Sequence, residues 1–190
     1  MLGYYKKPEA TAEVMKEIDG EKWFCTGDVG KLVDGPGGLK FLKITDRKKE
    51  LFKMSVGKYV APQSIENKFK EDFLIEQIMV VGEYKKFVAA LIVPALEALK
   101  DWCTQNKIPF TNLAEVVKLP EVEALFETVL ERHNPYFAHH EQLKKFKLIS
   151  SVWEPTKADG SEAELTPTMK LKRRVIMQKY AEEVEGIYAG

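Results

Sequence analysis

No apolar run in this sequence approaches the ~20 residues that a helical membrane span requires, and no secretory signal pattern opens it. Cysteine is scarce. Cys25 and Cys103 stand far apart in apolar surroundings, so they read as buried small hydrophobes in a reducing compartment, not as a disulfide framework. An excess of either charge is missing too. With 29 Lys and Arg against 29 Asp and Glu, no bulk field steers the chain toward nucleic acid or a membrane surface. Its histidines, His133, His139 and His140, lack the cysteine or acidic spacing of a metal centre and read as surface and helix-end residues. No metal site is expected in this chain, and a cytoplasmic location is. Any anion binding is left to local clusters.

What is present is an ordinary globular composition, 45% hydrophobic and 31% charged, enough to bury a real core. Pro8 to Ile18 reads as a short helix with proline in its first turn and Gly20 past its end. Trp23 to Cys25 begins a strand that breaks at Thr26-Gly27-Asp28. Val29 to Val33 and Leu39 to Ile44 form a hairpin around a glycine-rich loop. That loop leads into a strand and lacks a following Gly-Lys-Ser/Thr, so it is a turn and not a phosphate cradle.

Beyond it, Pro62 to Lys70 is helical, and the apolar runs Ile75 to Val81 and Phe87 to Val93 read as an antiparallel pair. Asn112 with Glu115 makes a capping box, and Val122, Leu125, Phe126, Val129 and Leu130 stripe a longer helix. Lys145 to Val152 returns as a strand, Lys157 to Leu165 is a surface loop, and Ile176, Tyr180, Val184 and Ile187 mark one final amphipathic helix. The class is α+β: a mostly antiparallel central sheet with flanking helices, preceded by a short hairpin segment.

Three stretches could carry chemistry. Asp28, at a strand break, offers a carboxylate suited to a ribose diol. Ile44 to Pro62 packs Asp46, Arg47, Lys48, Lys49, Glu50 and Lys53 ahead of a Ser-Val-Gly-Lys turn, with Arg47 a planar donor fork. Lys170, in PTMKLKRR, is a compact positive charge able to neutralise phosphate. Each has a plainer reading: a turn-stabilising aspartate, a solvated strand face, and a basic patch whose Arg173 and Arg174 begin a helix and form ion pairs. Nucleic-acid binding is not expected at zero net charge. Two separate cationic clusters suit one large anion or two faces used in turn.

GYYKKPEATAE, WFCTGDVG, DRKKELFKMSVGKYVAPQSIE and LTPTMKLKRR occur in that order and span nearly the whole chain. Together they resemble the later core motifs of the acyl-adenylate-forming (AMP-binding) superfamily. The likeness is greatest to long-chain fatty acid–CoA ligases, whose last motif also ends Thr-Pro-Thr-x-Lys-x-Lys-Arg; ERHNPYFAHHEQLKKFKLI has their character as well. The resemblance implies a small lid-type C-terminal domain over 46–190. It further implies that residues 1–45 close a larger domain lying mostly outside this sequence.

By that resemblance Asp28 binds the ATP ribose hydroxyls, assisted by Arg47, and Lys49 is the hinge on which the lid swings. Gly57 lies in the loop facing CoA, and Lys170 is the catalytic lysine of adenylation. Met169 stands where relatives commonly carry glycine. The implied substrates are a fatty acid, ATP and CoA, with magnesium held by the missing N-terminal domain, which is also the implied partner. Peripheral membrane association of the full-length enzyme fits the same picture. The fragment alone is expected to be inactive. A non-catalytic lid-like binding module, or an adenylating enzyme that loads a carrier protein, are the alternatives.

Overall fold

The structure, a computed structural model, describes residues 1–48 and 50–189 and divides into two units, Met1–Leu51 and Phe52–Gly190. In the first, helix α1 (Pro8–Val14) starts at proline as expected but ends before Ile18. Met15–Ile18 is instead strand β1, paired antiparallel with β2 (Glu21–Phe24). The cause is Asp19-Gly20, both left-handed at φ 54° and 79°. Such a pair makes a two-residue hairpin turn, so Gly20 reverses a strand and does not cap a helix.

Strands β3 (Asp28–Asp34) and β4 (Lys40–Arg47) form the expected second hairpin around Pro36–Gly38. None of this unit's described residues is buried. Leu32 faces Leu42 across the ladder, with Ile44 two residues along; their exposures are 69%, 67% and 53%. Cys25 is exposed as well, contrary to the sequence expectation, because nothing in its unit covers the β2 segment.

The second unit is built on the run Val88–Pro94, strand β8, in which every residue is buried. A strand with no polar face must be covered on both sides. It lies between β7 (Ile75–Val81), antiparallel as expected, and β9 (Leu143–Leu148), which is parallel. A parallel return needs a long crossover, supplied here by α3 (Leu96–Gln105), α4 (Leu113–Val116) and α5 (Pro120–His133). Ahead of the sheet come the short strands β5 (Phe52–Lys53) and β6 (Tyr59–Val60) and helix α2 (Pro62–Phe69).

Alternation along the strands then sorts the core in two. Ile78, Val80, Ala90 and Ile92 pack with Phe69, Leu99, Phe126 and Val129 from α2, α3 and α5. Met79, Ala89, Leu91 and Val93 pack with Trp153, Ile176, Tyr180 and Val184. Cys103 belongs to the first cluster and is buried, as expected. The capping box on α4 forms, Asn112 Oδ1 accepting from Glu115 N at 3.0 Å.

The chain's last helical stretch is two helices, α6 (Arg173–Lys179) and α7 (Ala181–Tyr188), and not one, because Tyr180 leaves helical geometry at φ −111°, ψ 31°. His133 does end a helix, but it is buried against the ring of Phe69 and the Asp72 carboxylate (Nε2–Oδ2 3.2 Å), not on the surface. Arg132 reaches the same carboxylate at 2.7 Å.

One charge pair crosses between the helices of the two faces. Glu66 on α2 is buried, accepts Val80 N at 2.8 Å, and takes both oxygens' worth of bonding from Arg173 Nη2 at 2.8 and 2.7 Å. Burial pushes the Glu66 carboxyl above its ordinary value, and Arg173 opposes that push. Arg173→Met would leave this carboxylate buried and unpaired, with an expected loss of about 3 kcal/mol. Urea unfolding at neutral pH should read that loss, and the penalty should shrink in acid, where Glu66 takes up a proton.

Candidate active site

Asp28 and Arg47 are far apart in sequence but stand opposite one another at the end of the β3–β4 ladder. Gly27, left-handed at φ 81°, turns the chain into β3, and Thr26 Oγ1 accepts from Asp28 N at 3.1 Å. Arg47 Nε then lies 3.3 Å from Asp28 Oδ1. A carboxylate steadied from one side can accept from a vicinal diol, while a guanidinium beside it adds further donors. The two residues thus form one polar surface, a juxtaposition that neither sequence motif disclosed separately. Lys49, the expected hinge, lies outside the described residues.

Gly57 and Lys170, both in the second unit, sit on turns of one design. In the β5–β6 hairpin, Met54 N donates to Lys58 O and Gly57 N to Met54 O, each at 2.9 Å. In the Lys170 hairpin, Thr166 N donates to Lys170 O and Met169 N to Thr166 O, each at 2.8 Å. In each, one residue must be left-handed to close the loop: Gly57 at φ 82° and Met169 at φ 62°. Glycine takes that conformation freely, while methionine does so at a cost of about 1 kcal/mol.

Extra bonds offset that strain. Thr166 Oγ1 accepts from Lys170 N at 3.1 Å and lies 3.0 Å from Thr168 Oγ1. Lys170 is exposed, and its ammonium has no partner among the described residues. The Gly57 hairpin is in turn stitched to the β7–β8 turn, Ser55 N and Oγ both donating to Lys85 O at 3.0 and 3.1 Å and Tyr84 N to Lys53 O at 2.8 Å.

Two buried carboxylates near these turns escaped the sequence reading. Glu66 could have been noticed, since it shares a helix face with Ile65 and Phe69. Glu164 could not, lying in a polar stretch that read as loop. It is 1% exposed and ion-paired to Lys179 Nζ at 2.6 Å and Lys157 Nζ at 3.0 Å. Burial pushes its carboxyl up, but hydrogen bonds from Lys179, Lys157 and backbone outweigh this and hold it at about 2. Among the described residues no group of three or more His, Cys, Asp or Glu could hold a metal ion.

Residues 49–190 match the family described as the AMP-binding enzyme C-terminal domain. The chain belongs to that family. This AMP-binding C-terminal domain and the hairpin segment before it are 37% identical over 187 residues to the long-chain-fatty-acid–CoA ligase FadD15 of Mycobacterium tuberculosis, covering 98% of the chain and 29% of the ligase. They are 36% identical over 189 residues to long chain acyl-CoA synthetase 1 of Arabidopsis thaliana, covering 98% and 26%. The chain therefore spans under a third of the length of these relatives. Among solved structures, the A domain of a carboxylic acid reductase from Segniliparus rugosus, in complex with AMP and a co-purified carboxylic acid, superposes with TM-score 0.70 at 25% identity, over 98% of this chain and 26% of that one. The A-PCP didomain of the same organism's reductase gives 0.68 at 29%, over 98% and 23%.

Two measurements test the local physics of this AMP-binding domain. Beyond its chain neighbours, no atom lies within 4 Å of a Cβ added at Gly57, so Gly57→Ala meets only conformational strain; denaturant unfolding should show a loss of about 1 kcal/mol. Glu164 is depressed from 4.5 to about 2 on folding. A depressed acid stabilises fully above its unfolded value, and that contribution is lost as pH falls through the window down to about 2. Unfolding free energy should fall with acidification across this window in the wild type and fall less in Glu164→Gln.

Proposed function

We propose that this chain is the C-terminal lid portion of an ATP-dependent acyl-CoA synthetase acting on long-chain fatty acids, with residues 1–45 closing its larger domain. The carrying observation is the 37% identity to a long-chain-fatty-acid–CoA ligase along 98% of the chain, on a domain in which Lys170 closes a tight turn and its ammonium has no partner among the described residues. The absence of any buried residue among those described in the first unit supports the larger-domain reading, because a segment without a core of its own must find cover elsewhere.

In the proposed reaction the fatty-acid carboxylate attacks the α-phosphorus of ATP, the bond to the bridging oxygen breaks, and pyrophosphate leaves. Lys170 stabilises the negative charge that develops in that transition state. Asp28 accepts from the ribose hydroxyls, and Arg47, already on its carboxylate, fixes its orientation. The lid then turns about Lys49, withdrawing Lys170 and bringing up the Gly57 turn. The CoA thiol loses its proton, attacks the acyl carbonyl and expels AMP. The 190 residues by themselves hold half of this arrangement and turn nothing over. A cytoplasmic location and peripheral membrane association of the full-length enzyme belong to the same reading.

Likeness to the A-PCP didomain of a carboxylic acid reductase favours one second reading, in which the acyl group passes to a carrier-protein thiol. Supplying the full-length protein with CoA or with a phosphopantetheinylated carrier separates the two. In that protein, Lys170→Ala should cut ATP–pyrophosphate exchange to a small residual rate and spare thioester formation from supplied acyl-adenylate. Equal loss of both half-reactions would refute the role given to Lys170.

A further inference from the structure

The turn that carries Lys170 is short and almost entirely exposed from Thr166 to its tip, yet a charge on it does electrostatic work only if its position is held. What holds it lies at the base. Leu165 bridges Leu171 antiparallel, Lys172 N donates to Glu164 O at 2.8 Å, and Leu165 N donates to Glu154 O at 3.1 Å. Residues 164 and 172 thus form the last rung of a small ladder whose far end is the Thr166–Lys170 turn.

That rung is not fastened by packing alone. The Glu164 side chain, buried under it, accepts Lys179 Nζ from α6 at 2.6 Å, Lys157 Nζ at 3.0 Å and Glu154 N at 3.4 Å. Lys157 also reaches Glu154 Oε2 at 3.3 Å. One carboxylate thereby joins three separate pieces of chain: the 154–157 approach, the hairpin base and helix α6. Its neighbour Leu165 enters the core cluster of Trp153, Ile176 and Tyr180.

Lys179 and Lys157 are the only cations bonded to this carboxylate among the described residues, and neither is Lys170. Apolar residues of similar size would have held the base without desolvating a charge. A fixed, fully ionised anchor makes sense where direction matters more than net stability.

We propose that Glu164 is a positioning residue for Lys170: its carboxylate, clamped between Lys157 and Lys179, sets the angle at which the hairpin presents the Lys170 ammonium. The proposal rests on the adenylation role given to Lys170 above. Because Glu164 touches the hairpin base and not the reacting atoms, its loss loosens aim without removing a charge from the site. A misplacement of about 1 Å in a catalytic group costs up to roughly a hundredfold in rate.

The test uses the full-length protein with Glu164→Gln and Lys179→Met, each alone, and Lys170→Ala as reference. Single-turnover pyrophosphate release measures adenylation, and acyl-CoA formation from supplied acyl-adenylate measures the second step. We expect each positioning variant to lower the adenylation rate by roughly ten- to a hundredfold, with the KM for ATP and the second step unchanged. Adding Glu164→Gln to Lys170→Ala should cost nothing further, since there is no longer a charge to aim.

The proposal is overturned if both variants keep the wild-type adenylation rate, if both half-reactions fall in proportion, or if the two losses simply multiply. Should Glu164→Gln fail to fold, Lys179→Met decides, since it leaves the hairpin itself intact. If Lys170→Ala adenylates normally, the catalytic reading fails first and is recognised as such by that variant alone.

Discussion

Strand β8 is buried on both faces and paired on both edges, and the rest of its unit follows from that. Seven residues without a polar side chain cannot form the half-solvated strand of a simple hairpin. They draw α2, α3 and α5 to one face and Trp153, α6 and α7 to the other. Covering both faces is also what puts α2 and α6 on opposite sides of a sheet one strand from its edge. Glu66 and Arg173 then meet around that edge, and Val80, on the edge strand β7, gives its otherwise unpaired N–H to Glu66. A buried carboxylate is tolerated there because each oxygen has a donor.

The same frame carries the two candidate loops. The Gly57 hairpin is fastened to the β7–β8 turn through Lys85 and Lys53, and the Lys170 hairpin stands on the second core through Leu165. Both loops use one turn geometry, and they differ in how its left-handed position is filled. With glycine at 57 the conformation is free. With methionine at 169 it is enforced, by Thr166 from within the turn and by Glu164 from below. Strain of this kind persists only where the surroundings over-determine the backbone, so the choice of methionine and the density of bonds around it belong together.

The first unit obeys a different constraint. Its two hairpins are well registered, yet Leu32, Leu42 and Ile44 remain exposed together on one face. Local pairing suffices to bring Asp28 against Arg47, since a single ladder aligns them. It does not suffice to bury anything. In this unit the geometry of the polar pair is decided by register, whereas in the other unit geometry is decided by packing.

Local patterns in the sequence determined much of this. The apolar runs at 75–81 and 87–93, the Asn112 cap and the stripe on α5 specify themselves through periodicity and capping chemistry, and the ordered motifs around Asp28, Arg47, Gly57 and Lys170 specify the family. What misled was local too: Asp19-Gly20 supports a helix end or a hairpin equally well until β2 is there to pair, and Tyr180 continues an apolar stripe while its backbone breaks the helix. Only the tertiary structure decided that β9 runs parallel to β8, that His133 is buried on Asp72, and that Glu66 and Glu164 are interior ions. Strand direction across a long crossover, and the partners of His133 and Glu66, depend on residues 61 and 107 positions away, so no window of neighbouring sequence contains both halves of the contact. Glu164 finds Lys179 only 15 positions along, but which carboxylate of a polar stretch turns inward is decided by the core that its neighbour Leu165 enters.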